Sequence, residues 1–172
     1  MTYRILVTGS RGWRDPAAIR MDLDAEIQRA WDLARRPVVV HGACNPRDPV
    51  TGQMIPWAHA ERLPPAAQLE LAGADWLADR LARQLEPAVT TEPHAADWGR
   101  FGRAAGYRRN ATMVARGAAA CLAFLLPCTA PDCPGRDRPH DSHGAAHCAA
   151  LAARAGIPVR RRRPAPVKEN RR

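Results

Sequence analysis

The chain has 172 residues, of which 46% are apolar and 25% charged, and a net charge of +9. These proportions fit one ordinary globular domain and exclude a collagen-like, coiled-coil or wholly disordered chain. No apolar run approaches the roughly 18 residues of a membrane helix, and Met1-Thr2-Tyr3-Arg4 leads directly into a strand-like segment, so a cytoplasmic protein without signal or transit peptide is expected.

Residues 3–8 form a short β-branched run, the first predicted strand, which stops at the turn Gly9-Ser10-Arg11-Gly12. Over 16–34, Ile19, Leu23, Ile27, Ala30, Trp31 and Ala34 recur at helical spacing, and Asp15-Pro16 supplies a cap followed by proline at the first helical position. Residues 37–41 are a continuous apolar strand ending at Gly42-Ala43, and 44–66 are an irregular, proline-rich flap. Helix is predicted again over 67–85, with Gly73-Ala74-Asp75 as an alternative start. Strand follows over 88–92, helix over 98–115, strand over 119–126, a loop over 127–141, helix over 144–155 and a short strand over 157–159. Strict β-α alternation predicts a Rossmann-like, doubly wound parallel α/β sheet of about five strands with helices on both faces. Ligands in such sheets bind beyond the carboxyl ends of the strands.

The charge is unevenly placed. Residues 160–172 carry seven basic side chains against Glu169, a net +6 of the chain's +9. The expected organisation is therefore one domain over 3–159 and a basic, disordered tail over 160–172, the tail being the part suited to nucleic acid.

Three small-residue turns fall at the predicted ligand edge. Gly9, Ser10 and Arg11 follow the first strand, where backbone N–H groups and a helix N-terminus suit phosphate or ribose. Gly42, Ala43, Gly73 and Asp75 would shape the pocket. Arg109 and Asn110, adjacent on a predicted helix, offer a charged fork and an amide to one ligand. Ser142 and Gly144, ahead of the last helix, form a second candidate anion nest. Trp13, Trp57 and Trp98 lie in or beside predicted loops, where they cap the core or stack on a base. Cys121 reads as core, and Cys44 as a strand-end thiol near the site.

Five cysteines, an odd number in a reducing compartment, argue against a disulfide framework. Six of the eleven Cys and His residues crowd into 128–148, where a proportional share is about 1.3. Cys128-x4-Cys133-x6-His140-x2-His143 provides two thiolates and two imidazoles, enough for a closed, structural zinc site. His147 is the substitute ligand if His140 is not used, and Cys148 sits in the helix pattern as a packing residue.

The runs Ile5-Leu6-Val7-Thr8-Gly9-Ser10-Arg11-Gly12-Trp13, Val40-His41-Gly42-Ala43, Gly73-Ala74-Asp75 and Pro93-His94-Ala95-Ala96-Asp97-Trp98, with the helix over 102–113 and Ser142-His143-Gly144-Ala145 followed by Gly156-Ile157-Pro158-Val159, resemble the YpsA/YspA-related branch of the SLOG superfamily across 3–159. The resemblance implies a Rossmann-like domain that binds a nucleotide or nucleotide-derived molecule, with homodimers among its relatives. It also implies kinship with the LOG phosphoribohydrolases and with the DNA-binding DprA proteins, so a nucleoside-monophosphate hydrolase and a nucleic-acid-binding module are the alternative functions. Arg109-Asn110 would match the hydrolases' Arg-Lys pair. Their PGGxGTxxE loop would end at Cys148 in place of the glutamate and carry Ala145 in place of the threonine. A thiol does not supply the carboxylate's acid-base chemistry, so ligand binding rather than hydrolysis is the leading expectation.

Overall fold

The computed structural model describes residues 1–131, 133–135 and 137–164. Five strands, β1 (Thr2–Gly9), β2 (Arg36–His41), β3 (Thr90–Pro93), β4 (Ala120–Phe124) and β5 (Val159–Arg162), form one sheet in the order β3-β2-β1-β4-β5. Every pairing is parallel. This is the expected doubly wound α/β fold, and the strand order reverses between β1 and β4, where such sheets open a crevice.

The helices are α1 (Pro16–Asp32), α2 (Trp57–Ala60), α3 (Pro65–Glu70), α4 (Ala74–Arg83), α5 (Trp98–Phe101), α6 (Ala105–Ala115) and α7 (His143–Arg154). The Asp15 carboxylate caps α1 by accepting from the Ala18 N–H at 2.9 Å, with Pro16 opening the helix. Alternation along β1 divides the core. Tyr3, Ile5 and Val7 pack with Ile19, Leu23 and Ile27 of α1 and with Trp76, Leu77 and Leu81 of α4. Leu6 points the other way, onto Met113 and Val114 of α6 and Cys148 and Ala152 of α7. Among the described residues no helix is long and apolar enough to cross a membrane.

Three expected elements are corrected. The helix over 67–85 is two pieces, because the chain turns at Leu71 and Gly73 adopts φ 137°, so α4 starts at the alternative position. The helix over 98–115 breaks at Gly102, φ 49°, into α5, a 3-10 turn over Gly102–Ala104, and α6. The last strand lies over Val159–Arg162 rather than 157–159, so the start of the expected disordered tail is sheet.

That strand is basic because it faces acids. Arg160 and Arg162 alternate onto the α1 side, where Arg160 reaches Asp22 at 3.0 Å and Glu26 at 3.3 Å, and Arg162 reaches Asp22 at 2.8 Å. The Tyr3 hydroxyl donates to Glu26 at 2.9 Å. Asp22 and Glu26 are buried on the inner side of α1; Glu26 also accepts from Arg29 at 2.9 Å, whereas Asp22 without Arg160 and Arg162 would be an uncompensated charge. Arg163 grips Asp141 with two hydrogen bonds of 2.7 and 3.0 Å. The remainder of the expected tail, 165–172, lies outside the described residues.

Gly9 ends β1 where three backbones converge. A Cβ there would stand 2.9 Å from the Phe124 carbonyl oxygen and 3.1 Å from the Phe124 Cβ, and would collide with the Ala74 Cβ. None of these is the end of a flexible side chain. Gly9→Ala is therefore expected to cost about 1–3 kcal/mol by overpacking. Urea unfolding measures this, and an unchanged midpoint would show slack at the β1–β4–α4 junction.

Candidate functional site

A cleft of about 1070 Å³ lies at the carboxyl ends of β1 and β4. Of the residues expected there, Gly9, Ser10, Arg11, Asp75, Arg109, Asn110, Ser142 and Gly144 line it. Gly42, Ala43 and Gly73 do not, and each has a supporting role instead. A Cβ on Gly42 would collide with the Arg109 guanidinium and lie 2.8 Å from Asp75 Oδ2, so the missing side chain is the space Arg109 occupies. Ala43 sits at φ 48°, and its N–H donates to His41 Nδ1 at 3.2 Å. Gly73 donates its N–H to the Trp13 carbonyl at 2.8 Å, which sets where α4 begins.

Ser10 joins the two central strands. Its hydroxyl accepts from the Leu126 N–H at 2.8 Å and lies 2.6 Å from the Ser142 hydroxyl. The two hydroxyls share one hydrogen bond, and either can be its donor. Ser142 in turn donates its N–H to the Leu126 carbonyl at 2.9 Å. The β1 turn, the β4 exit and the start of α7 are thereby one hydrogen-bonded unit on the cleft floor.

Arg109, on α6, crosses to the ends of β2 and β3. It donates to the Gly42 carbonyl and, at 3.4 Å, to the His94 carbonyl. Its Nε donates to Asn110 Oδ1 at 2.9 Å, and Asn110 Nδ2 donates to the Gly144 carbonyl at 3.0 Å. The adjacent pair read from the sequence does meet, and the buried Asn110 amide links the arginine to α7. Burial disfavours the Arg109 charge, but Cys44 and Asp75 beside it more than offset this and hold its pKa above the ordinary value. Asp75 Oδ2 accepts the Cys44 N–H at 3.3 Å. Burial, with Asp75 adding to it, pushes the Cys44 thiol up to about 11, so it is no nucleophile at neutral pH.

Position 148, where the hydrolase resemblance would put a glutamate, does not line the cleft but lies beneath it, close enough to Thr8, Asp75 and Arg109 to feel them. Cys148 is fully buried among Leu6, Val40, Met113 and Cys121, and burial pushes its thiol up to about 11. Cys121 is core, as expected.

Several cleft residues were not singled out in the sequence. Arg14, Arg47 and Arg103 join Arg11 and Arg109 on its walls, against the carboxylates of Asp48 and Asp75. They come from a helix approach, the flap and a 3-10 turn, so no local motif gathers them. Of the three candidate stacking tryptophans only Trp98 lines the cleft. Trp13 is core, tilted against Phe124 with ring centres 5.3 Å apart. Trp57 stacks on buried His41 at 5.8 Å.

The Cys/His loop forms the cleft's remaining wall. One donor atom from each of Cys128, Cys133, His140 and His143 lies within 4.8 Å of all the others, a group that could hold a metal ion. Cys133 Sγ is 3.3 Å from His140 Nε2 and 3.1 Å from His143 Nε2, and the two Nε2 atoms are 3.0 Å apart. Tetrahedral zinc, with bonds of about 2.0–2.3 Å, would separate its ligands by about 3.3–3.8 Å, so Cys133, His140 and His143 already stand at or just inside that spacing. His140 donates Nδ1–H to the Arg138 carbonyl at 2.7 Å, which leaves Nε2 as the lone-pair donor facing the group. The proposed substitute His147 is not in the group. It stands edge-on to Tyr107 with centroids 4.6 Å apart.

The chain is 37% identical over 160 residues to the Gene 61 protein of Mycobacterium phage D29, a match covering 91% of this chain and 93% of that protein. No family model and no solved structure matches it.

Proposed function

This chain belongs to the family of the Gene 61 protein of Mycobacterium phage D29, and we propose that it binds a nucleotide or nucleotide-derived anion at the carboxyl edge of its sheet, beside a structural zinc ion. The observation that carries the reading is the convergence of five arginines on a cleft at the strand-order reversal, with the Gly9–Gly12 turn and the start of α7 on its floor. Backbone N–H groups at a helix start favour phosphate, and low-dielectric walls strengthen each charge contact. The cleft is also large enough for a nucleoside with several phosphates. The resemblance to SLOG domains agrees with this reading.

Zinc follows from the donor set. Two thiolates and two imidazoles are soft and borderline ligands that suit zinc over magnesium or calcium, and four protein donors leave no open position. The ion is thus structural, and the reducing cytoplasm is the compartment that keeps its thiolates available.

A thermal-shift panel of mono-, di- and cyclic nucleotides and dinucleotides tests the binding. A ligand at about one hundred times its dissociation constant should add about 2.7 kcal/mol, or roughly 5–10 °C for a chain of this size. Arg11→Ala, at an exposed cleft position, and Arg109→Lys should both reduce the shift. No shift with any compound at millimolar concentration would overturn the reading.

A further inference from the structure

The cleft rim between Trp98 and Arg108 has a composition of which the mononucleotide reading uses only Arg103. Residues 98–116 contain no acidic side chain. The Asp97 carboxylate just before them is engaged as a cap, accepting the Arg100 N–H at 2.9 Å. Trp98 and Tyr107 are 51% and 45% exposed, although they are among the largest apolar surfaces the protein has. Both are held in place: Trp98 lies over Gly106, and Tyr107 stands edge-on to His147. Between them Phe101 carries the guanidinium groups of Arg100 and Arg108 at 4.9 and 4.6 Å from its ring centre. Arg103 continues the cationic line into the cleft.

We infer that this rim is a platform for single-stranded nucleic acid, with bases stacking on Trp98 and Tyr107 and phosphates running over Arg100, Arg103 and Arg108. Aromatic faces interleaved with arginines match the alternation of base and phosphate in an unpaired strand. A duplex keeps its base faces covered and could use only the charges. An acidic peptide would use the charges and leave the flat aromatic faces without partners. Of the described C-terminal arginines, Arg160, Arg162 and Arg163 are engaged by Asp22, Glu26 and Asp141. Trp98, Arg103 and Tyr107 also line the cleft, so the platform is continuous with the site proposed above.

Fluorescence anisotropy with a labelled oligothymidylate of about 12 nucleotides tests it. Trp98→Ala and Tyr107→Ala should each weaken binding roughly 5- to 150-fold, and Trp98→Phe should restore most of the loss. Three phosphate contacts predict a slope of about −2 in log affinity against log salt, close to a 20-fold loss between about 50 and 200 mM. Both aromatic side chains are exposed, so unchanged thermal melting will separate lost binding from lost fold. Equal affinity for a duplex of the same length would overturn the inference. So would full competition by polyglutamate, or loss of binding with Arg109→Lys but not with Trp98→Ala, the last placing the strand in the cleft alone.

Discussion

Elemental analysis of the purified chain is expected to return about one zinc per molecule, and the Cys128→Ser, Cys133→Ser double variant to return none. The loop between β4 and α7 contains Pro127, Pro131, Pro134, Pro139 and Gly135, a composition that cannot build a helix or a sheet ladder. It is closed at its base, where Cys128 donates its N–H to the His140 carbonyl at 2.8 Å and Pro127 bridges to Asp141. Within the loop, Cys133 and Arg138 make only turn bonds of 3.1 and 3.0 Å. A metal held by the four donors would supply an interior for this loop. Structural zinc is worth about 10–16 kcal/mol in isolated finger peptides, where the figure includes folding, so the gain in this pre-closed loop should be a fraction of that. Chelator should lower the melting temperature and open the loop, whose Pro134, Gly135 and Arg138 are exposed, to a protease of broad specificity such as proteinase K. Affinity should fall on acidification, because protons compete for the thiolates and imidazoles. A metal-free protein whose melting ignores chelator would sink the assignment.

The second large effect is expected at the C-terminal strand. Removing Arg160 and Arg162 together leaves Asp22 buried without a partner, and stranding a buried charge costs about 3–5 kcal/mol. The two arginines are partly exposed, so about 3 kcal/mol is expected for Arg160→Ala, Arg162→Ala. Burial alone would raise the Asp22 pKa, but Arg162 and Arg160 outweigh it and hold it below the ordinary carboxylate value. A carboxyl lowered on folding gives stability that is present above its unfolded pKa, near 4, and lost as pH falls through the folded one. The cost of the double variant should therefore be full at neutral pH and shrink towards pH 4 and below, where its unpaired Asp22 takes up a proton. Urea unfolding at both pH values measures it, and a pH-independent difference would show that the loss is packing rather than charge.

This strand also marks where the sequence stopped being legible. β1, β2, β4, α1 and α7 declare themselves by apolar periodicity, because each buries a regular face. A run of four arginines carries no such signal, and it reads as a solvated tail. Its meaning depends on Asp22 and Glu26, well over a hundred residues away in the chain. The same holds for the cleft, whose arginines gather from separate connections. Arg109 and Asn110 were legible because they are neighbours in sequence. The four candidate metal donors were legible because all lie within sixteen residues. The break at Gly102 was missed because helical spacing continues across it, while the backbone there turns to a positive φ.

The strand order has a consequence for a chain made from its N-terminus. β1 is central, yet its neighbour β4 begins at Ala120, and the arginines for Asp22 and Glu26 arrive only with β5. Until then a nascent chain holds an open edge along β1, a bare apolar face at Leu6 and Val40, and a buried Asp22 on the inner side of α1 without its cations, while Glu26 has Arg29 of its own helix. Such an intermediate is prone to pair with other strands. Closure of the sheet, completion of the cleft floor through Ser10 and Ser142, and neutralisation of the buried Asp22 thus all wait until β4, α7 and β5 have been made. Ligand-binding competence should accordingly appear as a late, single event rather than grow with chain length.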